Sequence, residues 1–445
     1  MYDLAIIGGG PAGYSAAFEA IHSGLSVIIF EKDRMGGTCL NRGCVPTKYL
    51  SHMARVYKDV INASDVIKTE NVSFDYDTAH SKMMEIISSL RMGIINELKT
   101  YKGRDEGYDH NKEHDCIVEI IEGKAIIEDA RTISCGKEYE AKNILIATGS
   151  QPAPSLLANA VSSDELLNLT EIPAELHILG GGSIAVEFAN IYRTLGSDVS
   201  LYIRGERILR GWDKEIAVGI TQSFKKKGIK IHGKCDFSKL EINNGIVLSA
   251  AGRIPVLPSM PEGLLDLHTD NSIIVNSEAG ETETAGVYAA GDVIKDSPKL
   301  AHIAMEQGRN VVRHILGRKL VSSAVVKCLY LDQEVATVRQ RAVSTATTMA
   351  KAVSAKVNMY SNARTKISTP ERGFIKITAE KQTGQILEAQ MMCERASDLI
   401  VELALAINQG LTCGQMLQSI RPHPSYSEAV TEALRLLENK ICSSS

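Results

Sequence analysis

The chain has 445 residues, a formal net charge of −4, and 44% hydrophobic against 23% charged residues. That length exceeds what one hydrophobic core usually organises, so two to four domains are expected, and the balanced composition excludes a disordered or fibrous chain and offers no basic surface for nucleic acid. Only 5% of residues are aromatic, with Trp212 the single tryptophan, which argues against a stacking platform for single strands.

The chain opens MYDLAIIGGG, an apolar run that stops at glycines with no basic leader and no cleavage site, so no signal peptide is expected. No stretch approaches the ~18 apolar residues of a membrane span, so a soluble, cytoplasmic protein with no membrane partner is expected. The first predicted elements are a strand from Asp3 to Ile7, a glycine turn, a helix from about Ala12 to Ser23 and a strand from Ser26 to Phe30. Gly8, Gly10 and Gly13 fall on that turn in the pattern G-x-G-x-x-G, and Glu31 ends the second strand. In a dinucleotide site the first glycine permits the tight turn, the second lets the backbone approach a pyrophosphate and the third allows close helix packing, while the acid holds ribose hydroxyls. A structural glycine turn beside a surface glutamate is the alternative.

Gly36-Gly37-Thr38-Cys39-Leu40-Asn41-Arg42-Gly43-Cys44-Val45-Pro46-Thr47-Lys48 follows. Nine cysteines are too sparse for a structural disulfide framework, but Cys39 and Cys44 are close. At the start of a helix such a pair can form a small-ring disulfide that is easily reduced, and the helix dipole favours a thiolate there. A zinc site would need two more ligands, none of which is near in sequence, and no metal is expected. Two structural thiols are the remaining alternative; they leave the flanking glycines without a role.

Further along, a long helix is predicted from Met83 to Leu98, then a polar stretch from Lys102 to Asp115 and a strand pair near Ile117 to Ile127. Asn143 to Ser150 reads as an apolar strand entering a turn, and Gln151-Pro152-Ala153-Pro154 as a linker, which places a boundary near residue 150. A second strand-helix-strand unit comprises His177 to Leu179, the helix Ile184 to Leu195 and the strand Asp198 to Ile203. Its turn carries Gly180-x-Gly182-x-x-Ala185, but Arg204 and Arg210 stand where a ribose-binding acid is usual. Arginine there can accept a 2′-phosphate, so the second cofactor reads as NAD(P)(H), leaning to NADP(H). A solvated basic loop, with Glu206 pairing an arginine, is the alternative. A strand from Gly286 to Asp292 and a helix from Ala301 to Leu316 come next; from Val321 the strands Ala324 to Tyr330, Ala352 to Tyr360 and Phe374 to Ala379, then helices, predict a separate α+β domain.

The cysteine segment resembles the active-site signature of the pyridine nucleotide-disulfide oxidoreductases of the glutathione reductase and dihydrolipoamide dehydrogenase group, with Leu40, Asn41, Arg42 and Thr47 most like bacterial dihydrolipoamide dehydrogenases. The likeness includes Thr148-Gly149, Glu187, Ala250-Ala251-Gly252-Arg253, Gly291-Asp292, Leu300-Ala301-His302 and His423-Pro424-Ser425-Tyr426-Ser427-Glu428. It implies an α/β fold with two Rossmann-like dinucleotide-binding domains in three layers plus a C-terminal α+β interface domain. Residues 1–150 with 271–320 would bind FAD, residues 151–270 NAD(P), and residues 321–445 would form the dimer interface.

By the same resemblance Cys39 is the interchange thiol and Cys44 the thiolate in charge-transfer contact with the flavin. Lys48 and Glu187 form an ion pair beside the flavin ring, Asp292 holds the ribityl chain, Thr148, Gly149 and Ala301 belong to the FAD site, and Gly252 to the nucleotide site. His423 and Glu428 resemble a base and its orienting carboxylate, contributed across a homodimer whose active sites are shared between subunits; alone, a histidine between two prolines is more often a loop residue than a catalyst. An imidazole suits the task because a thiol near pKa 8.5 must lose its proton to attack.

The expected reaction converts a dihydrolipoyl group and NAD(P)+ to a lipoyl group and NAD(P)H, with a lipoyl-bearing carrier protein or a small disulfide as partner. An NADPH-dependent reductase of a small disulfide, and a non-catalytic flavoprotein or redox sensor, are the other readings. Four departures bear on the choice. Arg421 stands where dihydrolipoamide dehydrogenases usually carry another histidine, and Arg339 where a glycine is expected. Only about twenty residues separate Ile231 from Gly252, which trims the second nucleotide unit, and the Arg204 and Arg210 pattern resembles glutathione and trypanothione reductases.

Overall fold

A computed structural model describes residues 1–63, 66–68, 71–100, 117–341, 351–368 and 373–443; the polar stretch from Lys102 to Asp115 lies outside them. The chain divides into two compact units, residues 1–208 with 228–321, and residues 209–227 with 322–445.

The first unit starts with β1 (Tyr2–Ile7), α1 (Pro11–His22) and β2 (Val27–Glu31), the predicted strand-helix-strand. β1 is buried on both faces: Leu4 and Ile6 join a core with Ala16, Ala20 and Val311, and Ala5 and Ile7 join another with Phe30 and Ile144. A strand covered on both sides reads as a continuous apolar run, which is how LAII appears in the sequence. Three helices follow, α2 (Gly37–Arg42), α3 (Cys44–Asn62) and α4 (Tyr76–Thr100), the last beginning earlier than the apolar period suggests because Asp75 accepts from the Thr78 amide at 3.0 Å and starts it.

Next come β3 (Val118–Glu122), β4 (Ile126–Ile127), β5 (Thr132–Cys135) and β6 (Lys137–Ile146). The strand pair expected near Ile117 to Ile127 is corrected here, because β3 pairs in parallel with β2 and β4 antiparallel with β5. The resulting sheet has the order β3-β2-β1-β6-β5-β4, with the later β14 (Val287–Ala289) also on β6. Chain order reverses between β1 and β6, which opens a crevice at the carboxyl ends of these strands.

The expected linker at Gln151 is instead part of β7 (Ser150–Pro152), which pairs antiparallel with β13 (Arg253–Pro255). A second, wholly parallel sheet has the order β11-β10-β9-β12-β8, from β8 (Ala160–Ser162), β9 (Glu175–Leu179), β10 (Asp198–Tyr202), β11 (Lys230–His232) and β12 (Ile246–Ser249). Short α5 (Ser163–Leu166) follows β8, and α6 (Ser183–Thr194) connects β9 to β10. Between β11 and β12 the chain makes only a 3-10 turn at Phe237–Lys239.

The second unit contains α7 (Lys214–Lys226) and an antiparallel sheet ordered β15-β16-β19-β18-β17, from β15 (Val325–Leu329), β16 (Glu334–Arg339), β17 (Ala352–Asn358), β18 (Phe374–Glu380) and β19 (Ile386–Cys393). Alternate residues, among them Ala336, Val338, Ile375, Ile377, Ala389 and Met391, pack with Leu403, Ile407, Val430 and Leu434 of two long helices. The other face meets α7, where Gly219 approaches Met392 and Glu215 pairs with Lys356 at 2.6 Å. The helices are α8 (Ala301–Ile315) in the first unit and α9 (Ala363–Ser368), α10 (Ala396–Asn408), α11 (Cys413–Leu417) and α12 (Glu428–Cys442) in the second. No helix among the described residues is long and apolar enough to cross a membrane.

Candidate active site

The first glycine turn leaves no room for side chains. A Cβ on Gly13 would lie 1.9 Å from the Gly8 carbonyl oxygen, and one on Gly8, whose φ is +105°, would lie 2.5 Å from the Ala147 oxygen. Gly10 precedes α1 with no side chain capping the helix, so its first amides remain available to an anion. Glu31, at the end of β2, is buried and accepts from the Gly9 amide at 2.7 Å and the Asp33 amide at 2.8 Å; burial pushes its carboxyl above the usual range. Backbone amides and an anchored carboxylate at the carboxyl ends of parallel strands fit a dinucleotide pyrophosphate and ribose.

The segment from Arg34 to Gly37 folds onto this turn. The Gly36 amide donates to the Gly9 carbonyl at 2.8 Å, and a Cβ on Gly37, at φ +58°, would lie 2.7 Å from the Gly10 Cα. Asn41, quoted in the motif without a role, holds the bend: its Nδ2 donates to the carbonyls of Met35 at 3.0 Å and Gly37 at 2.9 Å, and its Oδ1 accepts from Arg91 at 3.1 Å. Cys39 therefore lies on α2, and Cys44 is the first residue of α3 after the break at Gly43.

The two cysteines are present as free thiols, with Cys39 donating to Cys44. The hydrogen bond from Cys39 and the charge of Lys48 hold the Cys44 thiol down to about 7, against burial and the Glu187 carboxylate. The same hydrogen bond, burial and the Cys44 charge push Cys39 up, so of the two sulfurs Cys44 ionises first and Cys39 keeps its proton longer. Lys48, one turn further along α3, pairs with Glu187 of α6 at 2.7 Å, with the glutamate side chain 8% exposed. Helix α6 also meets the start of α4 through a buried Tyr76–Tyr192 hydroxyl pair at 3.0 Å.

Asp292 accepts from Ser150 Oγ at 2.6 Å, and Arg253 donates to the same Oγ at 2.9 Å and to the Ser150 carbonyl at 2.8 Å. Thr148 bonds the Val256 carbonyl, Gly149 takes φ +70°, and Ala301 opens α8 without a side-chain cap. Gly180 repeats the close approach of Gly8, its Cβ position lying 2.4 Å from the Ala250 oxygen; Gly182 precedes uncapped α6, and Gly252 takes φ +136°. This second turn also fits a dinucleotide, on the same backbone grounds. Arg204 is exposed, with its guanidinium 5.2 Å from the centre of the Phe237 ring; Arg210 is exposed and belongs to the other unit.

In the second unit His423 Nδ1 meets Glu428 Oε1 at 2.8 Å, and Oε2 accepts from the Ser425 amide at 2.8 Å. These hydrogen bonds hold the Glu428 carboxyl below the usual range, as does its place in the first turn of α12. With Nδ1–H given to the carboxylate, Nε2 is left as the free base, on a side chain 75% exposed. Arg421 is buried beside them and bonds Glu402 and Thr431, partners 19 and 10 residues away that no local pattern reveals. Among the described residues no cluster of three or more histidine, cysteine or acidic side chains could hold a metal ion.

Residues 2–308 match the family model described as pyridine nucleotide-disulphide oxidoreductase, and residues 325–434 match that family's dimerisation domain. The chain is 31% identical to dihydrolipoyl dehydrogenase of Mycoplasma genitalium, with 98% of each chain covered. It is 29% identical to dihydrolipoyl dehydrogenase of Geobacillus stearothermophilus, covering 96% of this chain and 94% of that one. Among solved structures, LpdA from Mycobacterium tuberculosis superposes with a TM-score of 0.84 at 25% identity, covering 98% and 99% of the two chains. The flavoprotein disulfide reductase RclA from Escherichia coli shares the fold, with a TM-score of 0.82 at 24% identity and coverage of 98% and 100%.

Proposed function

Because this chain belongs to the pyridine nucleotide-disulphide oxidoreductase family, we propose that Cys39 and Cys44 form its redox-active pair and that it oxidises dihydrolipoyl groups with a pyridine nucleotide. The observation that carries the proposal is the hydrogen-bonded pair itself, with the Cys44 thiol held down to about 7 beside the Lys48–Glu187 ion pair. FAD, when bound, supplies the two-electron exchange between this pair and the nucleotide.

Gly8, Gly10 and Gly13, with the open end of α1, would receive the FAD pyrophosphate; Glu31 would receive ribose hydroxyls. Thr148, Gly149, Asp292 and Ala301 complete that site in residues 1–150 and 271–320. Residues 151–270 would hold the nucleotide at Gly180, Gly182 and Gly252, and residues 321–445 would pair two copies of the chain.

In the oxidised pair, a substrate dithiol gives one proton to Nε2 of His423 on the partner copy, and its thiolate attacks Cys39. The Cys39–Cys44 bond breaks, a mixed disulfide forms on Cys39, and Cys44 leaves as the thiolate that its surroundings favour. The second substrate thiol then displaces Cys39 and closes the substrate disulfide, and Cys39 leaves protonated. Glu428 keeps His423 in the tautomer that accepts the first proton.

Arg204 favours a second reading, since an exposed guanidinium supported on Phe237 at the discriminating strand end suits a 2′-phosphate and therefore NADP(H). With it, reduction of a small disulfide by NADPH becomes the reverse use of the same pair. Steady-state turnover of dihydrolipoamide with NAD+ and with NADP+, beside oxidised glutathione with NADPH, separates the readings. The proposal expects dihydrolipoamide oxidation, with NADP+ preferred; no dihydrolipoamide turnover with either nucleotide would overturn it.

A further inference from the structure

We propose that Arg421 is a positioning residue for His423, an inference that rests on the assignment of His423 as the base. Arg421 lies two residues before His423 and its side chain is only 6% exposed. Nη2 donates to Glu402 Oε2 of α10 at 2.8 Å, and Nη1 donates to Thr431 Oγ1 of α12 at 3.0 Å. The two bonds tie one end of the histidine loop to two helices. At the other end Asn362 Nδ2 donates to the Ser425 carbonyl at 2.9 Å and Glu428 takes the Ser425 amide. His423 thus sits between two anchored points, and α12 supplies a partner to each of them, Thr431 to Arg421 and Glu428 to Ser425 and His423.

The anchor is a costly one for stability alone. Arg421 Nε and Glu402 Oε1 are both buried with no hydrogen-bond partner among the described residues. Glu402 is half-buried, and an ion pair that buries an arginine and leaves polar atoms unpaired is often no more stable than an apolar side chain of the same size, so what it adds is a defined geometry. That geometry is the direction in which the exposed imidazole projects.

The test uses the FAD-loaded enzyme under anaerobic conditions and follows its two half-reactions separately, reduction of the oxidised enzyme by dihydrolipoamide and by NAD(P)H. His423→Gln serves as reference and is expected to slow only the dithiol step. Arg421→Met is expected to slow the dithiol step about 10- to 100-fold, the scale on which a misplaced group acts, and to leave the nucleotide step within about twofold. Arg421→Lys, which can keep one of the two ties, is expected to recover part of the loss. An unchanged dithiol step in Arg421→Met, or equal slowing of both steps, overturns the proposal. If Arg421→Met fails to assemble, Thr431→Val and Glu402→Gln decide it in the same way: selective slowing of the dithiol step supports it and unchanged rates overturn it. Should His423→Gln itself leave the dithiol step unchanged, the assignment of the base fails first, and the inference with it.

Discussion

At Cys44 a hydrogen bond, a nearby ammonium and a helix N-terminus act on one sulfur. The Cys39 thiol and Lys48 favour its thiolate, and burial and Glu187 oppose it. Lys48→Met removes a favourable charge and leaves the Glu187 carboxylate, buried at 8% exposure, without its partner. Both changes raise the Cys44 pKa. Because the thiolate dominates above that pKa, its ultraviolet absorbance in the two-electron-reduced enzyme should appear at higher pH than in the native enzyme, by about one unit or more. An unmoved titration would show that Lys48 does not govern the thiolate. The cysteine pair and the glycines around it are legible in the sequence because spacing and backbone freedom are local properties. The Arg253–Ser150–Asp292 chain is not, since its partners stand 103 and 142 residues apart.

Among the elements, α1 and α8 set the depth of the first glycine turn. They touch at Gly308, where an added Cβ would lie 2.1 Å from the Ala12 carbonyl oxygen, backbone that cannot move aside. One residue earlier, in the middle of α8, Gln307 Oε1 accepts from the Gly291 amide at 2.9 Å, next to Asp292. Gly308→Ala should therefore force the helices apart, at a cost of about 1–3 kcal/mol as for other overpacked sites, and should lower both the melting temperature and the FAD retained on purification. Native values of both would show that the helices tolerate the wider spacing. The alternation of strands and helices in the first unit follows from apolar runs ended by glycine. β19 escapes that reading because both its faces are covered: all eight residues from Ile386 to Cys393 are buried, including Glu388 and Gln390, so neither alternation nor an unbroken apolar run marks it. Short β7 escapes because Pro152 and Pro154 make it look like a linker, although its edge position beside β13 tolerates proline.

For the whole molecule, each glycine turn of the first unit stands at the carboxyl ends of parallel strands, where the strand order of its sheet reverses. The family match over residues 2–308 and the dimerisation-domain match over 325–434 fall on motifs scattered along the chain, which is why membership of the family could be read from the sequence. The surroundings of Arg204 were not legible, because its neighbour Phe237 stands in a turn 33 residues further along the chain. The most direct test of the central claim is anaerobic two-electron reduction of the purified FAD-loaded enzyme, followed by visible absorbance, in the native protein and in Cys39→Ser and Cys44→Ser. With Cys44 as the thiolate facing the flavin, a long-wavelength band should appear on reduction of the native enzyme, be present in Cys39→Ser and be absent from Cys44→Ser. A band retained in Cys44→Ser and missing from Cys39→Ser would contradict the roles assigned to the two sulfurs.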